Sequence, residues 1–150
     1  MLNKDYKEML QLLLEEQVDF ILVGAYALGA HGYPRATGDI DIWVKADEIN
    51  SINIYRALER FGAPLDQIAV NDFAQEGIVF QIGVTPRRID IVTHLDGVSF
   101  DEADEDKIIV KVEGLKLPIL SFDKLIKNKL STGSERDELD VKLLRKRRTS

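Results

Sequence analysis

Apolar residues recur along the first third of the chain at spacings that predict helices and strands in alternation. In residues 4–17 they lie three and four positions apart, which predicts an amphipathic helix. Residues 18–23 form a short apolar run that ends at Gly24, as expected of a buried strand. Residues 25–31 are small and tolerate a helix, and residues 39–44 favour a strand around two acidic positions.

The middle of the chain predicts one more helix, followed by two pairs of strands. Asp47 can cap this helix, whose buried stripe is expected to consist of Ile52, Tyr55, Leu58 and Phe61. Strands at residues 78–82 and 88–92 are predicted to pair in antiparallel orientation. Strands at residues 108–112 and 115–119 are predicted to form a hairpin.

The C-terminal part of the chain is predicted to end in two helices. Ser121 begins the first, which runs to about residue 130, and Ser134 can cap the second. We interpret the acidic run at residues 101–106 as a solvated loop. Residues 65–76 allow no assignment.

These elements together predict an α+β fold with a mixed central sheet flanked by helices and with a C-terminal helical pair. We expect a single domain over residues 1–150, with its core at about 18–120 and the C-terminal helices at about 121–147. Neither a linker rich in Pro, Gly and Ser nor an internal repeat divides the sequence.

Composition narrows the classes of protein to which this chain can belong. Hydrophobic residues make up 45% and charged residues 31% of the 150 positions, which excludes a mainly disordered chain. The formal net charge of −6 means that phosphate binding needs a local basic site or bound metal ions. The absence of cysteine excludes disulfides, zinc–thiolate sites and thiol nucleophiles. We expect a cytoplasmic protein without a membrane span.

Two acids in the predicted strand at residues 39–44 carry the first candidate chemistry. Acid-x-acid pairs alone mean little, because the sequence has five and chance gives about four or five. Alternate residues of a strand share a face, so Asp39 and Asp41 are expected to project together. Adjacent carboxylates repel each other, and a divalent cation that prefers oxygen ligands, Mg²⁺ or Mn²⁺, relieves this repulsion. Hydrated acids on a solvent-facing strand are the alternative.

Two further features of the sequence favour a functional role for this pair of acids. Asp90 lies between apolar residues in another predicted strand, where a third carboxylate can complete a two-metal site. Gly24 lies where a buried strand turns into a short helix, so the backbone there can approach a phosphate. A phosphate cradle followed closely by a metal-binding strand fits a nucleoside triphosphate.

Three motifs in this order resemble the nucleotidyltransferase superfamily that includes polymerase β. They are Val-Gly-Ala at residues 23–25, Gly-Asp-Ile-Asp-Ile at 38–42 and Arg-Ile-Asp-Ile at 88–91. Residues 23–44 as a whole, and the polar residues within 128–140, are similar to small bacterial members related to the AbiEii toxins and the minimal nucleotidyltransferases. Ala25 departs from the pattern, since the superfamily usually has Ser or Gly there.

The resemblance implies a metal-dependent transfer of a nucleoside monophosphate from an NTP to a hydroxyl group. It implies that Asp39, Asp41 and Asp90 hold Mg²⁺ or Mn²⁺ and that Asp90 helps to deprotonate the acceptor. Gly24 and Ala25 would give backbone N–H groups to the triphosphate. Relatives act on tRNA ends, proteins or small molecules, often within toxin–antitoxin pairs.

Two basic residues are further candidates for nucleotide or phosphate binding. Arg88 shares strand parity with Asp90, so it either contacts the substrate or neutralises its neighbour. Lys129 lies on the apolar stripe of its predicted helix, where a charge needs a partner. Either that partner is a phosphate, or it is Asp137 or Asp140 of the next helix.

Other candidates lie in a loop and at the C-terminus. Arg35 and Thr37 precede the first acidic strand and can reach a phosphate, although a surface arginine and a turn-forming threonine fit equally well. The basic residues within 142–148 fit a solvated helix end or a clamp for an RNA phosphate backbone. Trp43 is expected to lie in the core, turned away from the acids.

Two other functions stay open on the sequence alone. The first is a catalytically silent nucleotidyltransferase fold that acts as a binding module or antitoxin-like partner, which Ala25 favours and the intact set of three acids opposes. The second is a metal-dependent nuclease or phosphatase, which uses similar carboxylates but does not need the phosphate cradle. A homodimer or a separate substrate-binding partner is compatible with so short a chain.

Overall fold

The strands and helices follow one another in the predicted order, with one additional helix after the fourth strand. The computed structural model describes residues 2–33 and 38–149. The strands β1 to β6 are Phe20–Val23, Ile40–Val44, Val79–Ile82, Ile89–Val92, Ile108–Val112 and Leu115–Ile119. The helices α1 to α6 are Lys4–Glu15, Gly24–Ala30, Glu48–Phe61, Phe100–Asp106, Phe122–Ser131 and Glu135–Thr149. A short 3₁₀ helix, Asp72–Ala74, lies in the segment that the sequence leaves unassigned.

The strands form one mixed sheet in the order β3-β4-β2-β1-β6-β5. The pairs β1–β2, β3–β4 and β5–β6 are antiparallel, whereas β2–β4 and β1–β6 are parallel. Helices α5 and α6 pack against each other. The predicted α+β class, with a mixed sheet, flanking helices and a C-terminal helical pair, is therefore confirmed. Within residues 2–33 and 38–149, every helix is too short or too polar to cross a membrane.

The register of β2 and β4 places two acids on one face of the sheet and two buried isoleucines on the other. Asp41 pairs with Asp90 across the neighbouring strands β2 and β4, so both side chains project from one face. Ile40 pairs with Ile89, and both isoleucines are buried on the other face. Tyr6 of α1 lines a cleft together with Ile89, which places α1 on the isoleucine face. The sheet therefore keeps the two acids off the face that α1 covers.

Helix α3 is rotated relative to the stripe that its apolar residues predict. Ile52 is 38% exposed, whereas Asn50 and Ser51 are buried. The Asn50 amide donates to the carbonyl groups of Asp19 and Lys45 and accepts from the Asp19 N–H. These bonds satisfy backbone groups at the ends of strands, so the polar residue takes an inward position. The expected stripe is in part wrong for this reason.

Residues 101–106 form most of helix α4, so the prediction of a solvated loop there is wrong. The Ser99 hydroxyl accepts from the Glu102 N–H, and the Glu102 carboxylate accepts from the Ser99 N–H. This reciprocal capping box offsets the high charge of the segment, because acids in the first turn also suit the helix dipole. Ala103 is fully buried and fixes the helix to the rest of the protein.

Candidate active site

The site lies where β1 ends and where β2 and β4 begin. Val23, the last residue of β1, pairs with Asp41 of β2, and Asp41 pairs with Asp90 of β4. Gly24 follows Val23 directly as the first residue of α2. Three neighbouring strands therefore bring Gly24, Asp41 and Asp90 together, as the order of motifs in the sequence implies.

Gly24 is in close contact with the carboxylate of Asp41. Its φ of 65° lies in the left-handed region, which L side chains rarely adopt. A Cβ atom added at Gly24 would overlap with Asp41 Oδ2 and would lie 3.2 Å from Asp41 Cγ. Glycine is therefore required at this position both by the backbone conformation and by the closeness of the acid.

Asp39 lies immediately before β2 and is bound to the chain around β4. Its Oδ1 accepts a hydrogen bond from the Arg88 backbone N–H at 2.9 Å. Its Oδ2 accepts from the Thr85 hydroxyl at 2.9 Å. These bonds, the backbone one first, hold the pKa of Asp39 below its usual value, so the side chain is a carboxylate at neutral pH.

Arg88 and Asp90 form a bidentate ion pair on the acidic face. Arg88 Nε donates to Asp90 Oδ1 at 2.7 Å, and Arg88 Nη2 donates to Asp90 Oδ2 at 3.0 Å. Arg88 Nη2 also lies 3.8 Å from Asp39 Oδ2. The guanidinium therefore neutralises its neighbour, which is one of the two roles that strand parity predicts for Arg88. Its pKa is raised, mainly by the hydrogen bond to Asp90.

Asp41 carries the least compensated charge in the site. Burial, followed by the neighbouring charge of Asp90, raises the pKa of Asp41 to about 6. A carboxylate with this pKa is mostly ionised at pH 7, although its charged form is disfavoured. In the folded protein, the charge of Asp41 is therefore repelled by the neighbouring acid, and an added cation would relieve this repulsion.

The three acids of the site are candidate ligands of a divalent cation. Asp39, Asp41 and Asp90 offer only oxygen ligands, which suit Mg²⁺ or Mn²⁺. However, among residues 2–33 and 38–149, no group of three or more His, Cys, Asp or Glu side chains is arranged to hold a metal ion. Both oxygens of Asp90 are bonded to Arg88. The donor atoms therefore suit the cation. In the present arrangement, however, the guanidinium of Arg88 is bound to one of the three acids, Asp90.

Lys129 lies between the two C-terminal helices. Its Nζ is 3.4 Å from Asp137 Oδ1 and 3.2 Å from Asp140 Oδ2. The side chain of Lys129 is only 17% exposed. The pairing with the following helix, one of the two alternatives from the sequence, is therefore present, and the phosphate contact of Lys129 stays a prediction.

Of the remaining candidates from the sequence, only some lie within the described residues. Arg35 and Thr37 lie outside them, so their phosphate contacts also stay predictions. Near the C-terminus, the Arg147 guanidinium lies 5.3 Å from the centre of the Tyr33 ring. Arg148 lies 4.0 Å from the centre of the Phe122 ring. Two of the C-terminal arginines therefore make cation–π contacts within the chain.

For three residues of the site region, the sequence either indicated no role at the site or predicted the wrong orientation. The Tyr6 hydroxyl donates to the carbonyl of Gly38, the residue before Asp39, at 2.5 Å. Gln81 pairs in register with Asp90 and is exposed. Trp43 is buried as predicted, but the prediction that it turns away from the acids is wrong. Residues 41 and 43 have the same strand parity, so both side chains leave the same face of β2.

Comparisons with known proteins are consistent with this geometry at the level of the fold. No family model matches the chain, and no curated protein matches it in sequence. Among solved structures, the chain is similar to a "putative nucleotidyltransferase" from Thermotoga maritima, with a TM-score of 0.63 and 18% sequence identity. The alignment covers 100% of this chain and 97% of the other. The chain has a nucleotidyltransferase-like α+β fold.

Proposed function

We propose that this protein transfers a nucleoside monophosphate from an NTP to a hydroxyl acceptor in a reaction that depends on Mg²⁺ or Mn²⁺. The observation that carries the proposal is the register of β2 and β4, which aligns Asp41 with Asp90. Gly24 lies against Asp41 of this pair, and the fold around these residues is nucleotidyltransferase-like.

The proposed ligands of the cation are Asp39, Asp41 and Asp90. When bound, the cation would neutralise the triphosphate and the negative charge that develops on it. The acceptor oxygen forms a bond to the α-phosphorus, and the bond from that phosphorus to the oxygen bridging to the β-phosphate breaks. Pyrophosphate leaves with the electron pair, and Asp90 takes the proton of the acceptor hydroxyl. The protein contributes positioning and charge compensation.

The triphosphate is proposed to lie at the start of α2. Gly24 and Ala25 would donate their backbone N–H groups to it, without the side-chain hydroxyl that Ser would add at position 25. Arg88 and Lys129 are the proposed cationic contacts, together with Arg35. The hydroxyl of Thr37 is the remaining proposed phosphate contact.

The proposed acceptor is a tRNA end, a protein or a small molecule, and the proposed biological setting is a cytoplasmic toxin–antitoxin pair of the AbiEii-related type. A second copy of the chain or a partner protein would complete the acceptor site. The resemblance of the three sequence motifs to this group supports these proposals.

Incubation with each α-labelled NTP, Mg²⁺ and either total tRNA or cell lysate tests this function. Transfer of label is expected from one or more NTPs, and the Asp39→Asn/Asp41→Asn double variant is expected to lose it. Asp66→Asn, which removes an exposed carboxylate elsewhere, is the matched control and is expected to transfer normally. Label that persists in the double variant contradicts the assignment of the site.

A second candidate function is a catalytically silent nucleotidyltransferase fold that acts as a binding module or an antitoxin-like partner. The pairing of Arg88 with Asp90 favours it, because Arg88 neutralises Asp90 without a metal. For such a module, millimolar Mg²⁺ with NTP gives no thermal stabilisation, and Asp39→Asn changes nothing. Stabilisation that requires both Mg²⁺ and Asp39 favours the enzyme.

A further inference from the structure

Arg88 binds the same carboxylate oxygens that a divalent cation would need. Its guanidinium makes two hydrogen bonds to Asp90, of 2.7 and 3.0 Å, and lies 3.8 Å from Asp39. A third carboxylate, Asp41, is the register neighbour of Asp90. One guanidinium therefore lies among three carboxylates, in the place where the proposed function puts a metal ion.

The two parts of Arg88 are held with different firmness. Its backbone N–H, just before β4, is bonded to Asp39 Oδ1 at 2.9 Å. Its side chain is 31% exposed, compared with 10% for the side chain of Asp90. Rotation about the side-chain bonds can therefore move the guanidinium away from Asp90 while the backbone of the strand stays in place.

The guanidinium and a divalent cation exclude each other at Asp90. A bidentate arginine uses both carboxylate oxygens, and a metal ion brought to those oxygens would face a positive charge at close range. Exchange of one cation for the other keeps Asp90 neutralised, and the divalent ion adds a second positive charge for Asp41. The higher charge of the divalent ion therefore favours the exchange electrostatically.

We infer that Arg88 is an internal counter-ion that holds Asp90 in the metal-free protein and is displaced from it by the divalent cation. The freed guanidinium is then available for a phosphate of the NTP, two of whose oxygens can accept a bidentate pair of hydrogen bonds, as those of a carboxylate do. This inference rests on the proposed function, since it concerns the proposed metal ligands. Metal and nucleotide are therefore expected to bind with positive cooperativity that depends on Arg88.

Mn²⁺ titration of the full chain, followed by electron paramagnetic resonance of the free ion, tests the competition without any turnover. Arg88→Ala is expected to bind Mn²⁺ about tenfold more tightly than the wild type. Arg88→Gln, which keeps a polar side chain but no charge, is expected to shift in the same direction. Arg87→Ala is the matched control, because Arg87 is the exposed neighbour that lines the cleft with Ile89 on the opposite face. Its Mn²⁺ affinity is expected to stay within about twofold of the wild type.

A measurement on the wild type keeps the inference testable even where a variant fails to fold. The Arg88 Nε–H is observed by ¹⁵N NMR, and its hydrogen bond to Asp90 is expected to protect it from exchange with water. Saturating Mg²⁺ is expected to abolish this protection and to shift the resonance. The Arg87 Nε–H signal serves as the reference in the same spectrum.

The results separate this inference from the proposed function. Tighter Mn²⁺ binding by Arg88→Ala than by the wild type, together with no label transfer by the wild type, supports the counter-ion role and contradicts the transferase. Equal Mn²⁺ affinities of the wild type and Arg88→Ala, or an Arg88 Nε–H that stays protected when Mg²⁺ is bound, overturn the counter-ion role even where transfer occurs. Absence of metal binding in every variant overturns both.

Discussion

The carboxylate of Asp41 lies against the α-carbon of Gly24, so closely that a side chain at position 24 would overlap with it. This contact joins the turn between β1 and α2 to the acidic strand β2. The two motifs are about a dozen residues apart in the sequence but are in direct contact in the folded protein. A substitution in either motif is therefore expected to disturb the packing of the other.

Gly24→Ala is expected to destabilise the protein by about 1–3 kcal/mol, because it adds both a strained φ and an overlap with Asp41. Gly29→Ala is the matched control on the same helix, where an added Cβ meets nothing within 4 Å. It is expected to be neutral or to stabilise by up to about 1 kcal/mol. Urea unfolding measures both variants, and equal free energies of unfolding for the two contradict the steric role of Gly24.

Asn substitutions at Asp41 and Asp90 are expected to change stability in opposite directions. In chelator at pH 8, Asp41→Asn should stabilise by about 1–2 kcal/mol, because it removes a charge that burial and Asp90 disfavour. Asp90→Asn should destabilise by about 1 kcal/mol or more, since it deprives Arg88 of its bidentate partner. Thermal and urea unfolding check the two signs, and a loss of stability in Asp41→Asn contradicts the first.

The placement of several candidate residues could be predicted because the information for it is local. Short apolar runs fixed the strands, and parity alone placed Arg88 and Asp90 on one face. Contacts between distant residues could not be predicted in this way, such as the hydrogen bonds from Tyr6 to Gly38 and from Thr85 to Asp39. No periodicity in the sequence indicates which distant oxygen will accept a hydrogen bond from a given hydroxyl. The predicted buried face of α3 was in part wrong for the same reason, since Asn50 is turned inward by hydrogen-bond partners outside its helix.

The ion pair between Glu102 and Lys127 is expected to make stability depend on pH in the acid range. The hydrogen bond from Lys127, followed by that from the Ser99 backbone N–H, lowers the pKa of Glu102 from 4.5 to about 2. Because the folded pKa is lower than the unfolded one, the contribution is fully present above about pH 4.5 and is lost as the pH falls to about 2. The difference in Tm between the wild type and Glu102→Gln should therefore shrink across this window.

Glu105→Gln on the same helix is the control for this pH dependence, because Glu105 is exposed and takes no part in the capping box. Glutamine at position 102 can still accept the hydrogen bond of the capping box, so the variant isolates the charge. A difference in Tm that stays constant from pH 7 to pH 2 contradicts the assignment.

Lys129→Met is expected to destabilise the pairing of α5 and α6 by about 1 kcal/mol, because Asp137 and Asp140 lose their shared cation. Lys129→Arg keeps the charge and is expected to retain most of the stability. Urea unfolding measures both, and hydrogen exchange locates the loss in α6. A Lys129→Arg variant with normal stability and reduced label transfer supports the phosphate contact that the sequence predicts for Lys129.

The placement of Trp43 has a practical consequence. It is the only tryptophan of the chain, it is buried against Phe100 with a ring-centre separation of 5.1 Å, and it lies two residues from Asp41 on the same face. Indole fluorescence responds to nearby charge, so the emission of the unlabelled protein is expected to report changes of charge at the acids. Trp43 is therefore an intrinsic fluorescent probe of the candidate active site.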